Sequence, residues 1–272
     1  MSGRFHRFQH GGVNFTVICE LERELPPGGG PSFLNAPADE VRAAVDRWTS
    51  ESGGPLRMAM NILVADIDGN LLVVDTGNGP SDDNARGAMV EGLEAAGIDP
   101  SAVDMVITTH GHGDHIGGNT DAAGNPTFPN ATYVISDIEW QRLTSDPNDA
   151  AQRQLIGLAD RYRQVTPGDD IMPGIGTIPA PGHAAGMMAL VIGKGDDTLL
   201  HVADTFHLAF QPGHPDWYIS FDGDPDQTVR TRRSLFARAA ENGHLVMAYH
   251  APFPGLGRIE ADGDVWRWRP AE

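Results

Sequence analysis

The sequence predicts an α/β fold in which short strands alternate with amphipathic helices. Apolar and β-branched runs such as 103–110 and 244–250 have the length and composition of buried strands. The segment 38–49 instead repeats its apolar residues with the spacing of a helix. The 33 glycines and 20 prolines predict many tight turns between short elements. Because no low-complexity linker divides the 272 residues, we expect a single domain over 1–272.

The remaining elements follow from the same two periodicities. Strands are predicted at 13–21 and 131–136, and two-stranded hairpins at 60–77, 187–204 and 258–270. Helices are predicted at 81–100, at 137–145 with Asp137 as N-cap, at 148–162, and at 224–243 with a stop at Gly243. The segment 24–37 is too rich in proline and glycine for a helix and too long for a simple connection. We expect it to border a binding cleft.

Four predicted strands end in a side chain that can bind a metal ion or carry a proton. These residues are Asp75, His110, Asp204 and His250. Strand ends on a rigid sheet are where α/β proteins build their sites. The sequence therefore places a candidate site where these strand ends meet.

The run "THGHGDH" at 109–115 carries the strongest chemical signal, since it holds three histidines and one aspartate. Imidazole and carboxylate are common ligands of divalent transition metals, and the intervening glycines remove bulk and free the backbone to turn. Four side chains from one hexapeptide can hardly reach a single ion, so the run is interpreted as two pairs serving two ions. The bland alternative is a solvated polar loop.

Two ions need further ligands, which the rest of the chain offers. His183 lies in the Gly/Pro-rich turn "PAPGHAAG", while Asp204 and His250 follow strands. Together with His110, His112, Asp114 and His115 they make seven candidate ligands, enough for two sites if one carboxylate bridges. Such an ion pair can hold a hydroxide and polarise a carbonyl or phosphoryl oxygen.

Composition excludes several other classes of protein. The net charge of −18 repels phosphate backbones, so we expect no nucleic-acid partner. The single cysteine, Cys19, permits no disulfide within the chain and excludes cysteine-rich zinc sites. The apolar runs are far shorter than the ~20 residues of a membrane span, and the first residues lack the apolar core of a signal peptide. A cytoplasmic protein without membrane contact is therefore expected.

The histidine run resembles the His-x-His-x-Asp-His signature of the metallo-β-lactamase superfamily. The resemblance continues in order through "VVDTG" at 73–77, "PGH" at 181–183, "AD" at 203–204 and "YH" at 249–250. The segments 128–136 and 250–270 look like the branch that contains methyl parathion hydrolases and N-acyl homoserine lactonases, and are nearest to the former. The resemblance implies a four-layer αβ/βα sandwich, with two mixed β-sheets flanked by helices.

The resemblance also assigns the ligands. It implies that His110, His112 and His183 bind a first metal ion, that Asp114, His115 and His250 bind a second, and that Asp204 bridges the two. Asp75 would bond to a ligand histidine and fix its orientation. Two divalent ions are expected, with zinc as the first candidate and manganese, iron and cobalt as others. Because relatives are often homodimers, a homodimer is expected as well.

The implied activity is that of a binuclear metal-dependent hydrolase, in which a metal-bridging hydroxide attacks a small ester, lactone or phosphotriester. Asp114 and Asp204 would orient the hydroxide and shuttle its proton. His207 stands where lactonases of the superfamily carry a tyrosine, so it either assists the leaving group or merely lines the cleft. The alternative is a mononuclear iron oxidoreductase similar to persulfide dioxygenases. A non-enzymatic binding protein is disfavoured because all seven candidate ligands are present.

Some residues depart from the family pattern or bear on the pocket. Arg258 follows "PGLG" where the parathion-hydrolase pattern has histidine, which would alter packing or the pocket, and Ala203 replaces a commoner glycine. His201 is expected in the core or on a sheet face. Substrate specificity is assigned to the loops 24–37, 144–170 and 206–224. Aromatic and apolar residues that would line or close the pocket, or simply pack, are Phe33, Leu34, Phe210, Trp217, Tyr218 and Phe221.

Overall fold

Two β-sheets face each other in the computed structural model, which describes residues 4–26, 33–84, 87–145, 155, 157–194 and 197–271. Within these ranges each sheet has seven strands, and the strands of each follow one another in chain order across the sheet. The first half of the chain forms one sheet and the second half forms the other. The predicted α/β class, with two mixed sheets, is confirmed.

The first sheet contains an antiparallel half and a parallel half. Strands β1 to β4 pair antiparallel, and β4 to β7 pair parallel. The bounds are β1 Phe5–His10, β2 Val13–Glu24, β3 Arg57–Ile67, β4 Asn70–Val74, β5 Met105–Ile107, β6 Thr132–Ser136 and β7 Tyr162–Val165.

The second sheet is antiparallel except at its centre. Only β11 and β12 pair parallel, in a register that sets His201 opposite Met247. The bounds are β8 Asp170–Met172, β9 Ile175–Pro179, β10 Met188–Lys194, β11 Asp197–His201, β12 Leu245–Met247, β13 Leu256–Asp262 and β14 Val265–Pro270.

Helices pack on the outer faces of both sheets, apart from the four-residue helix at Gly113–Ile116, which carries part of the histidine run. Their bounds are α1 Ala38–Ser52, α2 Ala88–Ala95, α3 Gly113–Ile116, α4 Asp137–Ser145 and α5 Pro225–Asn242. The side chains of Met89 and Leu93 on α2 pack on the first sheet, and Phe236 and Ala239 on α5 pack on the second. In the range that the structure describes, none of these helices has both the length and the apolar character of a membrane span.

The main core lies between the two sheets. Alternate residues of β2, such as Phe15 and Val17, face Leu190 and Ile192 of β10, and all four are buried. This alternation is the strand period that buries one face of each strand. Because each sheet buries its other face under helices, the molecule has the four layers that the resemblance implies.

Some predicted elements differ from the observed ones. The predicted helix 81–100 begins only at Ala88, because Ser81 and Asn84 close a turn by mutual backbone hydrogen bonds. Most of the predicted helix 148–162 lies outside the described residues, and its described end forms a 3₁₀ turn followed by β7. Strands β1, β7, β8 and β9 were not anticipated, because they are short or rich in polar residues.

Candidate metal centre

The predicted convergence of strand ends is observed. The parallel pair β4 and β5 ends in register at Val74 and Ile107. Asp75 follows directly, and its backbone N–H donates to the carbonyl of Ile107 at 2.9 Å. Asp75 has a φ of 61°, in the left-handed region that non-glycine residues seldom adopt. This turn directs the fully buried Asp75 carboxylate toward the histidine run.

The histidine run spans an extended segment and the short helix α3. His110 and His112 precede the helix, while Asp114 and His115 lie within it. The two glycines differ in their roles. A Cβ at Gly111 would lie 2.3 Å from the side chain of Leu143, so close packing requires glycine there. A Cβ at Gly113 would meet open space, so the expected removal of side-chain bulk is needed at Gly111 and not at Gly113.

His110, His112 and His183 form a first group of candidate ligands. The Nδ1 atom of His112 lies 3.1 Å from Nε2 of His110 and 2.9 Å from Nε2 of His183. His183 comes from the turn between β9 and β10 of the second sheet. Three imidazole nitrogens from both sheets therefore face one point, and they could hold one ion.

Asp114, His115 and His250 form a second group. The Asp114 carboxylate lies 3.9 Å from Nε2 of His115 and 3.5 Å from Nε2 of His250. His250 follows β12 of the second sheet, and both histidines are buried. Like the first group, the second draws its members from both sheets.

Asp204 lies between the two groups. Its Oδ2 atom is 3.3 Å from Nε2 of His183 in the first group and 3.2 Å from Nε2 of His250 in the second. Its Oδ1 atom is 3.2 Å from Nε2 of His115. One carboxylate thus touches members of both groups, which is the arrangement that a bridging ligand needs.

Two atoms at this junction have no hydrogen-bond partner. They are the buried Nε2 of His115 and the buried Oδ1 of Asp204. Buried polar atoms are almost always satisfied, so two orphans facing each other indicate an absent partner. A divalent cation would satisfy both, because imidazole nitrogen and carboxylate oxygen are its ordinary ligands. The residues present therefore fit the metal ions that the resemblance implies.

The outward nitrogens of the ligand histidines are held by acceptors. Nδ1 of His115 lies 2.8 Å from Oδ2 of Asp75, as the resemblance implies for Asp75. Nδ1 of His183 lies 2.9 Å from Oδ1 of Asp222, and Nδ1 of His250 lies 3.0 Å from the carbonyl oxygen of Ala59. Each acceptor fixes the tautomer that leaves Nε2 free to bind a metal. Sequence reasoning missed Asp222, which no motif marks.

Electrostatics keep three of the candidate ligands, His110, His112 and Asp204, in the protonation state that binds a metal. Burial lowers the pKa of His110 and lowers the pKa of His112 to about 4, so both imidazoles are neutral at pH 7. Burial opposes ionisation of Asp204, but the neighbouring His115 and His250 hold its pKa well below the usual range. The pKa of His115 rises despite burial, because the carboxylates of Asp204 and Asp75 stabilise its protonated form. A metal cation would replace that proton.

A cavity of about 940 Å³ opens over the candidate metal centre. The polar floor is formed by members of both groups, together with Asp204 and His207. The apolar part of the wall comes from Leu25, Pro26, Met58, Met60 and Phe221. The beginning of the predicted cleft loop 24–37 thus borders the cavity, and residues 27–32 lie outside the described part of the chain.

Sequence comparison assigns the chain to a family. The model described as "Metallo-beta-lactamase superfamily" matches residues 56–249, which is more than half of the 272 residues. The chain belongs to the metallo-beta-lactamase superfamily. The resemblance carried by the histidine run is therefore confirmed.

Curated members of the superfamily align over much of the chain. "Metallo-beta-lactamase domain-containing protein 1" of Mus musculus is 26% identical over 248 residues, covering 88% of this chain and 84% of the relative. The "N-acyl homoserine lactonase AttM" of Rhizobium radiobacter is 28% identical over 181 residues, covering 60% of this chain and 64% of the relative. Lactonases are thus among the similar proteins.

Solved structures of the superfamily superpose over the whole chain. The hydrolase AbOPH gives a TM-score of 0.86 at 25% identity, covering 100% of this chain and 98% of the other. AidC, described as a dizinc quorum-quenching lactonase, gives 0.85 at 24% identity with the same coverage. Both superpositions confirm the metallo-beta-lactamase fold. At 24% identity, the match to AidC is evidence for the fold and not for an activity.

Several residues predicted near the superfamily site lie elsewhere. Phe33 packs against Phe210 and Trp217, at ring-centroid distances of 6.0 and 5.3 Å, and the latter two are buried. None of these three rings lines the cavity over the metal centre, so they serve packing. Leu34 is 61% exposed and does not line it either, nor does the half-buried Tyr218. Phe221 is the one aromatic residue of this predicted set that borders the described cavity.

The two departures from the family pattern have structural explanations. Arg258 donates to the carbonyl of Gly243 at the end of α5 and does not line the cavity, so its effect is on packing. Ala203 has a φ of 45°, which explains physically why glycine is commoner at this position. His201 is fully buried at the end of β11, and its Nδ1 accepts from the N–H of Ala203 at 3.3 Å. The prediction of a core histidine is confirmed.

Proposed function

We propose that the protein is a binuclear metal-dependent hydrolase of small esters, lactones or phosphotriesters. The observation that carries this proposal is the position of Asp204, within 3.3 Å of His183 in the first group and 3.2 Å of His250 in the second. A carboxylate shared by two sets of imidazoles suits a pair of ions about 3.5–4 Å apart. Membership of the superfamily and the lactonases among its relatives support the same activity.

The ligands divide between two ions. His110, His112 and His183 would hold the first ion, and Asp114, His115 and His250 the second, with Asp204 bridging. Zinc is the first candidate, and manganese, iron and cobalt accept the same ligands. When bound, a pair of divalent ions lowers the pKa of water into the neutral range and polarises a carbonyl or phosphoryl oxygen.

Asp114 and Asp204 would orient the attacking water and accept its proton. The Asp114 side chain is 26% exposed and borders the cavity, so its carboxylate oxygens can accept a hydrogen bond from a water molecule there. Asp204 is held as a carboxylate by its histidine neighbours. Each supplies an anionic acceptor beside the place where a nucleophile must be deprotonated.

His207 would contact the substrate. Its Nε2 atom lies 3.3 Å from Oδ2 of Asp204, and its ring lies 5.1 Å from that of His250. Its Nδ1 atom is buried without a hydrogen-bond partner. The ring borders the cavity, so it can hold the substrate carbonyl or hydrogen-bond to the leaving oxygen.

The cavity supports a small-molecule substrate with an apolar part. A volume of about 940 Å³ is in the range of small-ligand sites, and its apolar wall stands beside the polar floor. Such a wall suits an acyl or aryl substituent next to the reacting carbonyl or phosphoryl group. The net charge of −18 repels the phosphate backbone of nucleic acid. We therefore do not propose nucleic acid as a substrate.

A panel assay on metal-analysed protein tests this proposal. Hydrolysis would be measured for lactones, aryl esters and phosphotriesters, while metal content is determined on the same preparation. We expect about two divalent ions per chain and hydrolysis in at least one of these classes. One iron per chain with oxygen uptake in the presence of a persulfide would overturn the proposal in favour of the oxidoreductase alternative.

A further inference from the structure

We propose that Glu139 positions the first group of metal ligands, because its carboxylate binds the backbone of both loops that carry His110, His112 and His183. Glu139 lies on α4 and touches no ligand side chain, so its role is to position the ligands. This inference rests on the proposed binuclear function and assigns one residue a part in it.

The Glu139 side chain is completely buried, and both of its oxygens are used. Oε2 accepts from the N–H of Gly111 at 3.0 Å, and Oε1 accepts from the N–H of Gly186 at 3.0 Å. Gly111 lies between His110 and His112, and Gly186 lies in the turn that presents His183. One carboxylate therefore holds the backbone between His110 and His112 and the backbone three residues after His183.

Both contacts depend on close approach to α4. A Cβ at Gly186 would lie 2.5 Å from Oγ of Ser136 and 2.6 Å from the backbone nitrogen of Glu139. Ser136 adds a second hold on this turn, since its hydroxyl donates to the carbonyl of Gly186 at 2.7 Å. As described above, Gly111 packs against Leu143 of the same helix. Both loops therefore pack closely against the same helix.

Glu139 links the two halves of the chain. Gly111 follows β5 of the first sheet, whereas Gly186 precedes β10 of the second. The charge of Glu139 is balanced by Arg142, whose guanidinium donates to Oε2 at 2.9 Å. A charged acceptor makes stronger hydrogen bonds to backbone N–H groups than a neutral one. The spacing between the imidazoles of the two halves therefore depends on this carboxylate.

The second group of ligands is held by other contacts. Asp75 and the carbonyl of Ala59 orient His115 and His250, and among the hydrogen bonds of the described residues none joins Glu139 to either histidine or to Asp114. The two loops of the first group also share a backbone bond, from the N–H of Met188 to the carbonyl of Thr109 at 3.0 Å. Changing Glu139 should therefore loosen the first group without separating the loops.

The test uses Glu139→Gln, which preserves volume but replaces one acceptor with a donor that faces a backbone N–H. Zinc affinity would be measured by equilibrium dialysis against a competing chelator, with Glu241→Gln on the exposed end of α5 as the matched control. We expect Glu139→Gln to lower the affinity for one of the two zinc ions by roughly 10–100-fold. This is the usual effect of changing a residue that orients metal ligands. Glu241→Gln should bind like the wild type.

A double-mutant cycle identifies the affected ion. In a His183→Ala background, which disables the first group, Glu139→Gln should no longer change zinc affinity. In a His250→Ala background, Glu139→Gln should still lower the affinity for the zinc ion that the first group binds. If Glu139→Gln does not fold, Ser136→Ala provides the second variant. It should lower the affinity for the same zinc ion by a smaller factor.

The outcomes separate this inference from the proposed function. A wild-type protein that binds no divalent ion contradicts the proposed function itself. A wild-type protein that binds two ions, with unchanged affinity in both Glu139→Gln and Ser136→Ala, contradicts only the role of Glu139. A loss of affinity in Glu139→Gln that persists equally in the His183→Ala background would also contradict it.

Discussion

Three of the candidate ligand histidines use their two ring nitrogens for different contacts. In His115, His183 and His250, Nδ1 is held by an oxygen acceptor, and Nε2 points into the metal centre. His112 is reversed and presents Nδ1 to its neighbours. An imidazole that is held on one side is pre-oriented, so less free energy is lost when it binds a metal. The proposed metal centre therefore needs the distant His183 and His250 as much as the residues of the run.

Changing His183 to alanine tests that necessity. It removes one of three nitrogens from the first group, so we expect metal content to fall from about two ions to about one and hydrolysis to fall by at least about a hundredfold. His244→Ala is the matched control, because His244 is only half-buried and lies away from the cavity. Retention of both ions by His183→Ala in elemental analysis would contradict the ligand assignment.

Asp222→Asn tests the acceptor behind His183. An amide in place of the carboxylate weakens the charge-assisted bond to Nδ1 of His183, and we expect a roughly 10–100-fold loss of affinity for one ion. The control is Asp216→Asn, because Asp216 pairs with Arg233 on the surface and faces no ligand. Zinc competition measurements check both variants, and equal affinities in the two would argue against this role.

At the residue scale, the seven candidate ligands could be named from the sequence, whereas the residues that hold them in place could not. The donors belong to a signature with fixed spacing. Asp222 and Glu139 act through distant partners, 39 residues from His183 and 47 residues from Gly186. Nothing in the local sequence distinguishes such an acid from a surface acid, because its role depends on which loops the fold brings beside it.

At the scale of elements, the strand ends were predictable and the helix bounds were less so. Parallel strands end at the same edge of a sheet, so Asp75 and the run after β5 had to meet. The acidic stretch at 81–84 has the composition of a helical first turn, yet it closes a separate turn. The helix α2 starts after Gly87, whose φ of 79° is outside the helical range. Ser, Asp and Asn favour both tight turns and the first residues of helices, so local composition does not distinguish the two.

The helix α5 holds the segment that carries His207 in place through hydrogen bonds from Arg232. This buried guanidinium donates to the carbonyls of Thr205, Pro215 and Trp217, within the segment that carries His207. We expect Arg232→Met to lower the free energy of unfolding by about 3–5 kcal/mol, because it removes the side-chain donor to the carbonyls of Thr205 and Pro215 and the cation beside the buried Asp222 carboxylate. Arg233→Met should cost less than about 1 kcal/mol, since its ion pair with Asp216 is solvent-exposed and its guanidinium lies as far as 5.8 Å from the centre of the Trp266 ring. Urea unfolding compares the two, and equal losses would count against the prediction.

Phe221 borders the cavity over the candidate metal centre. It is 65% exposed, so its removal should change stability by less than about 0.5 kcal/mol. We expect Phe221→Ala to raise KM for substrates with long apolar substituents, by up to about tenfold, and to leave kcat nearly unchanged. Assays with short and long acyl substituents check this prediction. An equal effect on both would show that Phe221 does not contact the substituent.

At the scale of the whole molecule, two similar halves meet face to face, and each contributes to both metal groups. Each half forms one seven-stranded sheet that contains parallel strands, β4 to β7 at one side of the first sheet and β11 with β12 at the centre of the second. Neither half holds a full ligand set. Metal binding should therefore be coupled to the docking of the two sheets, which predicts stabilisation of the folded chain by bound ions.

The metal-free protein should be most stable near pH 6.5. Burial lowers the pKa of His112, His201 and His207 to about 4, below the value of 6.5 expected when unfolded. Between pH 6.5 and 4 the unfolded chain therefore binds more protons, and the free energy of unfolding falls as the pH is lowered. The raised pKa values of His115 and His250 contribute stability that is lost as the pH rises above 6.5. Thermal unfolding of chelated protein from pH 4 to 9 checks this, and a midpoint that rises steadily across the range would contradict it.

The most direct test of the binuclear centre is to titrate zinc into chelator-treated protein while lactone or ester hydrolysis is followed. The arrangement of both ligand groups around Asp204 predicts no hydrolysis without metal and a rate that reaches its maximum at two ions per chain. Hydrolysis that survives complete removal of the metal, or that is already maximal with one ion per chain, would contradict the binuclear mechanism.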